Sequence, residues 1–194
     1  EIGDVDGHLA TPEYKEQEIG EDWYAADTML AAIGEGHGQF TTVQLADYVA
    51  AIANGGSVYK LTLLDKVVDA GYTSTVFEST RQVRSTVSDP NGYISVLQQG
   101  MEAVASEGTA SEVLADYKVK VAAKTGTTQS DTSSVNTGVF VCYAPADAPE
   151  IAIAVVVEHG GSGSALTDIA KSIMDAYFAA PSDSQTPAEG ELVR

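Results

Sequence analysis

Residues 151–157 read Ile-Ala-Ile-Ala-Val-Val-Val, and residues 139–143 read Val-Phe-Val-Cys-Tyr. A strand with one wet face alternates apolar and polar side chains. Unbroken apolar runs rich in β-branched and aromatic residues belong to strands covered on both sides. Two such strands, at 137–143 and 151–157, confine the chain to folds in which a sheet lies between other layers. The gap between them, Ala144-Pro145-Ala146-Asp147-Ala148-Pro149, is a turn by composition. A third run, 118–127, alternates, with Val119, Val121 and Ala123 on one face and Lys118, Lys120 and Lys124 on the other. Three successive runs of this kind predict an antiparallel meander.

Helices supply the cover. Residues 165–178 set Leu166, Ile169, Ala170, Ile173, Met174 and Tyr177 at helical spacing. Ala152 and Ala154, on one face of the preceding strand, leave room for that helix to pack closely. Farther upstream, Thr41 and Gln44 have the spacing of a capping box, and Leu45, Val49, Ile52 and Ala53 form the stripe of the helix they open. Asn54-Gly55-Gly56 ends it, because glycine accepts the left-handed conformation. Asp89-Pro90 predicts a second helix start, with Ile94, Leu97, Met101, Val104 and Ala105 buried and Gly108 closing it. Between these helices, Val58-Tyr59-Lys60-Leu61 and Ser74-Thr75-Val76-Phe77 flank Asp69-Ala70-Gly71 and read as a hairpin. Helices and an antiparallel sheet in separate blocks define the α+β class.

Charge removes several functions. With 194 residues and a formal net charge of -18, the chain lacks the basic surface that nucleic acid or anionic lipid requires. No run of 18 apolar residues is present to span a bilayer. Residues 1–27 carry nine carboxylates against Lys15 alone, so residues 1–30 are expected as an acidic, irregular, solvated segment. Residues 180–194 hold too few apolar side chains to bury and are expected as a disordered tail. The opening Glu1-Ile2-Gly3-Asp4, without Met or a basic leader, reads as an internal cut in a longer protein. Cys142, the one cysteine, is expected as a buried structural thiol. His8, His37 and His159 share no ligand spacing, Asp4-Val5-Asp6-Gly7 lacks the later ligands of a calcium loop, and Gly34 to Gly38 lack phosphate-loop spacing. No metal or cofactor is expected.

The chemistry concentrates at Lys124-Thr125-Gly126-Thr127, where a strand runs into a turn. A site for acyl transfer from a peptide needs a cation for the substrate carboxylate, hydroxyls to orient it, and a backbone donor for the developing oxyanion. Lys124 can supply the first, and Thr125 and Thr127 the second. Gly126, lacking a side chain, would let a substrate backbone lie along the strand as an added antiparallel partner. The triplet alone is a weak signal.

Its surroundings are not. Ala31-Ala32-Ile33-Gly34-Glu35-Gly36, residues 41–46, Ala50-Ala51-Ile52-Ala53-Asn54-Gly55-Gly56, Gly100-Met101-Glu102-Ala103-Val104, residues 124–129 and residues 140–145 with Asp147 follow one another in order. Together with the final strand and helix, they resemble class B penicillin-binding proteins over residues 20–179. The resemblance implies a serine D,D-transpeptidase that is acylated by the D-Ala-D-Ala end of a peptidoglycan stem peptide, passes the acyl group to an amine, and is acylated at the same serine by β-lactams. That family uses Ser-x-x-Lys, Ser-x-Asn and Lys-Thr-Gly in order. Lys124, Thr125 and Gly126 match the third. By the same match Lys124 is catalytic, the Thr127 N–H is an oxyanion donor, and Thr125, Gly126 and Thr127 bind substrate.

The first two motifs are absent in their order. Ser57-Val58-Tyr59-Lys60 fits the first by letter, yet it follows a glycine helix stop in a β-type run. A nucleophile and its activating lysine need one helical turn to face each other. Ser134-Val135-Asn136 fits the second but falls after Lys124. Thr42 stands where the family usually has proline. Residues 31–179 are therefore expected to be the C-terminal part of a transpeptidase domain. Its partial serine β-lactamase/transpeptidase-like fold would be a three-stranded antiparallel sheet with flanking helices, without the N-terminal strands and nucleophile helix. Strand 151–157 should then present an unpaired edge. The resemblance further implies an extracytoplasmic, membrane-anchored parent protein with other cell-wall synthesis proteins as partners, and a chain inactive alone. A β-lactam sensor, a β-lactamase or a D,D-carboxypeptidase of the same fold are the alternatives; deacylation rate separates hydrolysis from transfer.

Overall fold

The computed structural model describes residues 5–128 and 135–179. A short helix α1 (Pro12–Tyr14) widens into a π-turn (Lys15–Ile19) that stops at Gly20. Helices α2 (Ala25–Ala32) and α3 (Thr42–Ala53) follow, then strands β1 (Ser57–Tyr59), β2 (Lys66–Val68), β3 (Thr75–Glu78) and β4 (Val83–Thr86). Next come α4 (Tyr93–Ser106) and α5 (Ser111–Leu114), the strands β5 (Ala122–Thr128), β6 (Thr137–Ala144) and β7 (Ile151–Val157), a 3-10 turn (Gly163–Leu166) and α6 (Thr167–Ala179).

The expected meander is present. Strands β5, β6 and β7 pair antiparallel in that order, with Lys124 opposite Val141 and Cys142 opposite Ile153. Adjacent residues point to opposite faces, and both faces are covered. On one face Ala123, Phe140, Cys142, Ile153 and Val155 meet Leu166, Ala170 and Met174. On the other, Ala122 and Tyr143 meet Val49, Ile52 and Met101. Each fully buried large side chain, such as Phe140 or Met174, contributes roughly 1.5–3 kcal/mol. Every residue of β3 and β4 is exposed, so those strands add little of this kind. Stability is concentrated in the sheet that carries Lys124.

Local chemistry sets the helix ends. At the start of α3 the Thr41 hydroxyl accepts from the Gln44 N–H at 3.2 Å, and the Thr41 N–H donates to Gln44 Oε1 at 2.9 Å. At its end Gly55 and Gly56 take φ of 84° and 110°, and the Gly56 N–H reaches the Ala51 carbonyl at 2.7 Å. With its ends closed in this way, α3 packs against β7.

Several expectations are corrected. Helix α4 begins at Tyr93, not at Pro90: the Asp89 carboxylate accepts from the Tyr93 and Ile94 N–H groups, each at 2.8 Å, while Gly92 takes φ of 72°. Leu97 on α4 is exposed rather than buried. Strand β5 begins at Ala122, where Ala122 and Ala123 are both fully buried on opposite faces, so the alternation read over 118–123 is not a wet-faced strand. Strand β1 pairs with β4 rather than with 74–77, which pairs with β2. Ala152 lies in the cluster under α3, not under the last helix. On α6 the buried residues are Thr167, Ala170 and Met174, with Leu166 buried in the 3-10 turn just before it, whereas Ile169, Ile173 and Tyr177 are exposed.

Residues 12–19 and 25–32, inside the stretch expected to be irregular, are helical. Lys15 organises them. It is only 4% exposed and sits 2.9 Å from Asp27 and 3.6 Å from Glu21, with its ammonium 5.1 Å from the Tyr24 ring centre. A buried cation needs such partners, and here they fold an acidic segment around it. The expected tail, 180–194, lies outside the described residues. Among the described residues no strand pairs with the outer edge of β7.

Candidate functional site

Strand β5 forms the other edge of the sheet, and its residues 124–128 run from exposed to half-buried. Lys124 is exposed, and its ammonium donates to the Thr125 carbonyl oxygen. Among the described residues no carboxylate pairs with it. The other lysines of this region differ: Lys120 is bonded to Glu102, while Lys118 and Lys171 lie 3.7 Å and 2.7 Å from Asp175. In a chain of net charge -18, an unpaired ammonium at a sheet edge is a point of attraction for an anion.

Two elements fix the neighbouring hydroxyls. The Thr125 Oγ1 lies 2.8 Å from the Thr109 Oγ1, which comes from the turn between α4 and α5. The Gly163 N–H donates to Thr127 Oγ1 at 3.1 Å. A hydroxyl has one donor and two acceptor sites, so each threonine keeps capacity for a ligand. Gly163 also lies directly against Gly126: a Cβ at Gly163 would sit 2.2 Å from the Gly126 carbonyl oxygen. A Cβ at Gly126 itself would meet Val139 at 3.4 Å, an ordinary contact, so packing within the chain leaves room for a side chain there. At the end of the strand the Thr128 hydroxyl reaches Glu35 at 3.4 Å, which brings the glycine-rich loop after α2 beside β5.

That loop is tied back to the N-terminal segment. His37 Nε2 is 4.0 Å from Asp27, and Asp27 also accepts from the Tyr24 N–H at 2.7 Å. The Tyr24 N–H and the Lys15 ammonium hold the Asp27 carboxyl below its ordinary range. Hydrogen bonding to Asp27 raises the Lys15 ammonium in turn, against the opposing effect of burial. His8 stacks on Tyr14 and pairs through its backbone with Gln39, so it serves the same tie. His159 is placed near the Val135 carbonyl.

The letter matches to the other motifs fare as their context predicts. Ser57 lies in β1, so Ser57 and Lys60 are not one helical turn apart. Ser134 lies outside the described residues, and Val135-Asn136 lead directly into β6. Cys142 is fully buried in the middle of β6, and burial pushes its thiol up to about 12. Thr109 and Gly163 carry no motif; Glu35 lies in the 31–36 segment that carries the resemblance, but nothing in the sequence placed it beside β5.

A family model described as the penicillin binding protein transpeptidase domain matches residues 5–175. The chain belongs to that family. Penicillin-binding protein 2A of Bacillus subtilis is 39% identical over 165 residues, covering 76% of this chain and 23% of that protein. The peptidoglycan D,D-transpeptidase MrdA of Escherichia coli is 26% identical over 203 residues, 96% of this chain and 32% of its own length. A chain of a peptidoglycan synthase complex, 28% identical, superposes with a TM-score of 0.77 over 95% of this chain and 31% of its own. The chain thus spans between about a quarter and a third of the length of the curated relatives.

Proposed function

We propose that this chain is the C-terminal part of a peptidoglycan D,D-transpeptidase domain and provides the rail on which the carboxyl end of the stem peptide docks. The observation that carries the reading is Lys124, exposed on the β5 edge without a carboxylate partner among the described residues. The substrate carboxylate would lie against Lys124 and the hydroxyls of Thr125 and Thr127. The substrate backbone would run past Gly126, where packing within the chain does not call for glycine. The Thr127 N–H would stabilise the oxyanion as a tetrahedral centre forms. A serine supplied by another part of the parent protein attacks the penultimate D-Ala carbonyl, terminal D-Ala leaves, and an amine of a second stem peptide takes the acyl group. β-Lactams acylate that serine in place of the peptide. No metal or cofactor takes part.

Exposed apolar groups support a need for further chain. Ile169, Ile173 and Tyr177 line one side of α6, Tyr93, Val96 and Leu97 stand out on α4, and the β7 edge is open. Such patches mark interfaces. The parent protein works outside the cytoplasm, where stem peptides are joined. The chain's likeness to a member of a peptidoglycan synthase complex supports other cell-wall synthesis proteins as partners.

The test is labelling by a fluorescent β-lactam. The full-length parent protein should be acylated stoichiometrically, Lys124→Ala should slow that at least tenfold, and residues 1–194 alone should remain unlabelled. Label mapped to Ser57 in the isolated chain, or an unaffected Lys124→Ala protein, would overturn the proposal.

A further inference from the structure

Among the described residues, Thr109 is the one side chain from outside the strand that hydrogen-bonds the Thr125 hydroxyl, at 2.8 Å. It is held there firmly. Gly108 turns so tightly that a Cβ on it would lie 2.7 Å from the Val104 Cα. The Ala110 N–H bonds the Val104 carbonyl at 3.1 Å, and Ser111 returns both its N–H and its hydroxyl to the Gly108 carbonyl. Ala110, the next residue, is buried, while Thr109 itself is exposed. A β-branched side chain on such a turn has few rotamers open to it.

The polarity of this hydroxyl pair matters. A carboxylate only accepts hydrogen bonds, so Thr125 can serve one only by donating its single hydrogen. Thr125 must then accept from Thr109. We propose that Thr109 is a positioning residue of the carboxylate rail: it donates to Thr125 Oγ1 and thereby turns the Thr125 hydrogen toward the ligand. The inference rests on the reading of β5 given above. Donation into Thr125 also polarises its O–H, and such chains strengthen one another. Without Thr109, the Thr125 hydroxyl rotates freely, and part of its population points its lone pairs at the anion.

The experiment compares acylation of the full-length protein by one β-lactam and by its methyl ester, which has the same ring without the anion. Thr109→Val keeps the shape and removes the donor. It should slow acylation by the acid at least fivefold and by the ester less than twofold, with Thr109→Ser restoring the acid rate to within threefold. Thr109→Ala, which suits an exposed turn, should repeat the valine result. Equal effects on acid and ester, or no effect on either, overturn the inference. Lys124→Ala and Thr125→Val separate the two failures. If they too leave the acid-to-ester ratio unchanged, the rail reading itself is wrong; if they collapse the ratio and Thr109→Val does not, only the role of Thr109 is wrong.

Discussion

Gly163 stands behind Gly126 at a distance no side chain could share: a Cβ on Gly163 would fall 2.2 Å from the Gly126 carbonyl oxygen and 2.3 Å from that of Val139. The turn before α6 is thereby pressed against the strand that bears Lys124. Because both obstructing atoms are backbone, neither can swing aside. Gly163→Ala should lower stability by about 1–3 kcal/mol, the range for overpacking, and, on the function proposed above, should slow β-lactam acylation of the full-length protein. Gly100, inside α4, has open space where its Cβ would be. Gly100→Ala should raise stability by about 0.5–1 kcal/mol. Denaturant unfolding of both variants checks the contrast; an unperturbed Gly163→Ala protein would show the close approach to be absent.

The Lys15–Asp27 pair gives a pH dependence with a definite sign. The Asp27 carboxyl is held below its ordinary value, chiefly by the Tyr24 N–H, so its contribution is present above about pH 4 and is lost as pH falls through the lowered value. The Lys15 ammonium is raised, chiefly by its bond to Asp27, so its contribution is present below about pH 10 and is lost as pH rises through the raised value. Asp27→Asn should flatten the acid limb of a stability-versus-pH curve. An unchanged acid limb in that variant would contradict the pairing.

Asp89 binds two N–H groups at the head of α4 from outside the helix. Asp89→Ala should cost about 1 kcal/mol, the usual worth of a lost helix cap, and should loosen the first turn of α4. Amide hydrogen exchange at Tyr93 and Ile94 is the direct readout, with faster exchange expected at both.

The open edge of β7 predicts association when residues 1–194 are prepared alone. Val156 projects from that strand and is 37% exposed. Val156→Lys should reduce self-association, because a charge on an edge strand opposes pairing with another copy. Sedimentation velocity of the two proteins decides this, and equal sedimentation behaviour would count against strand pairing.

The sheet was legible because β6 and β7 are covered on both sides, which leaves two long apolar runs separated by a turn with Pro145 and Pro149. The same property hid which helix covers which face. With Ala152 and Ile153 both apolar, alternation could not say that Ala152 faces α3 while Ile153 faces α6. The pairing of β1 with β4 was hidden for the opposite reason, since β4 is exposed throughout and has no periodicity to read. In the acidic segment the described carboxylates other than Asp27 are exposed, as composition suggests, but the helices there and the buried Lys15 paired with Asp27 were not legible. At the site, Lys124 to Thr127 could be read as a motif, but Thr109 reaches Thr125 across 16 positions of sequence, a pairing that only folding creates.

Cys142 lies at the centre of the sheet with no exposed surface, and burial lifts its thiol to about 12. The thiolate is the form that attacks an alkylating reagent, so at neutral pH this sulfur is doubly shielded, by lack of access and by its proton. As the chain's single cysteine it amounts to an internal clock. The rate at which iodoacetamide marks it reports how often β6 parts from its neighbours, with no probe added to the protein.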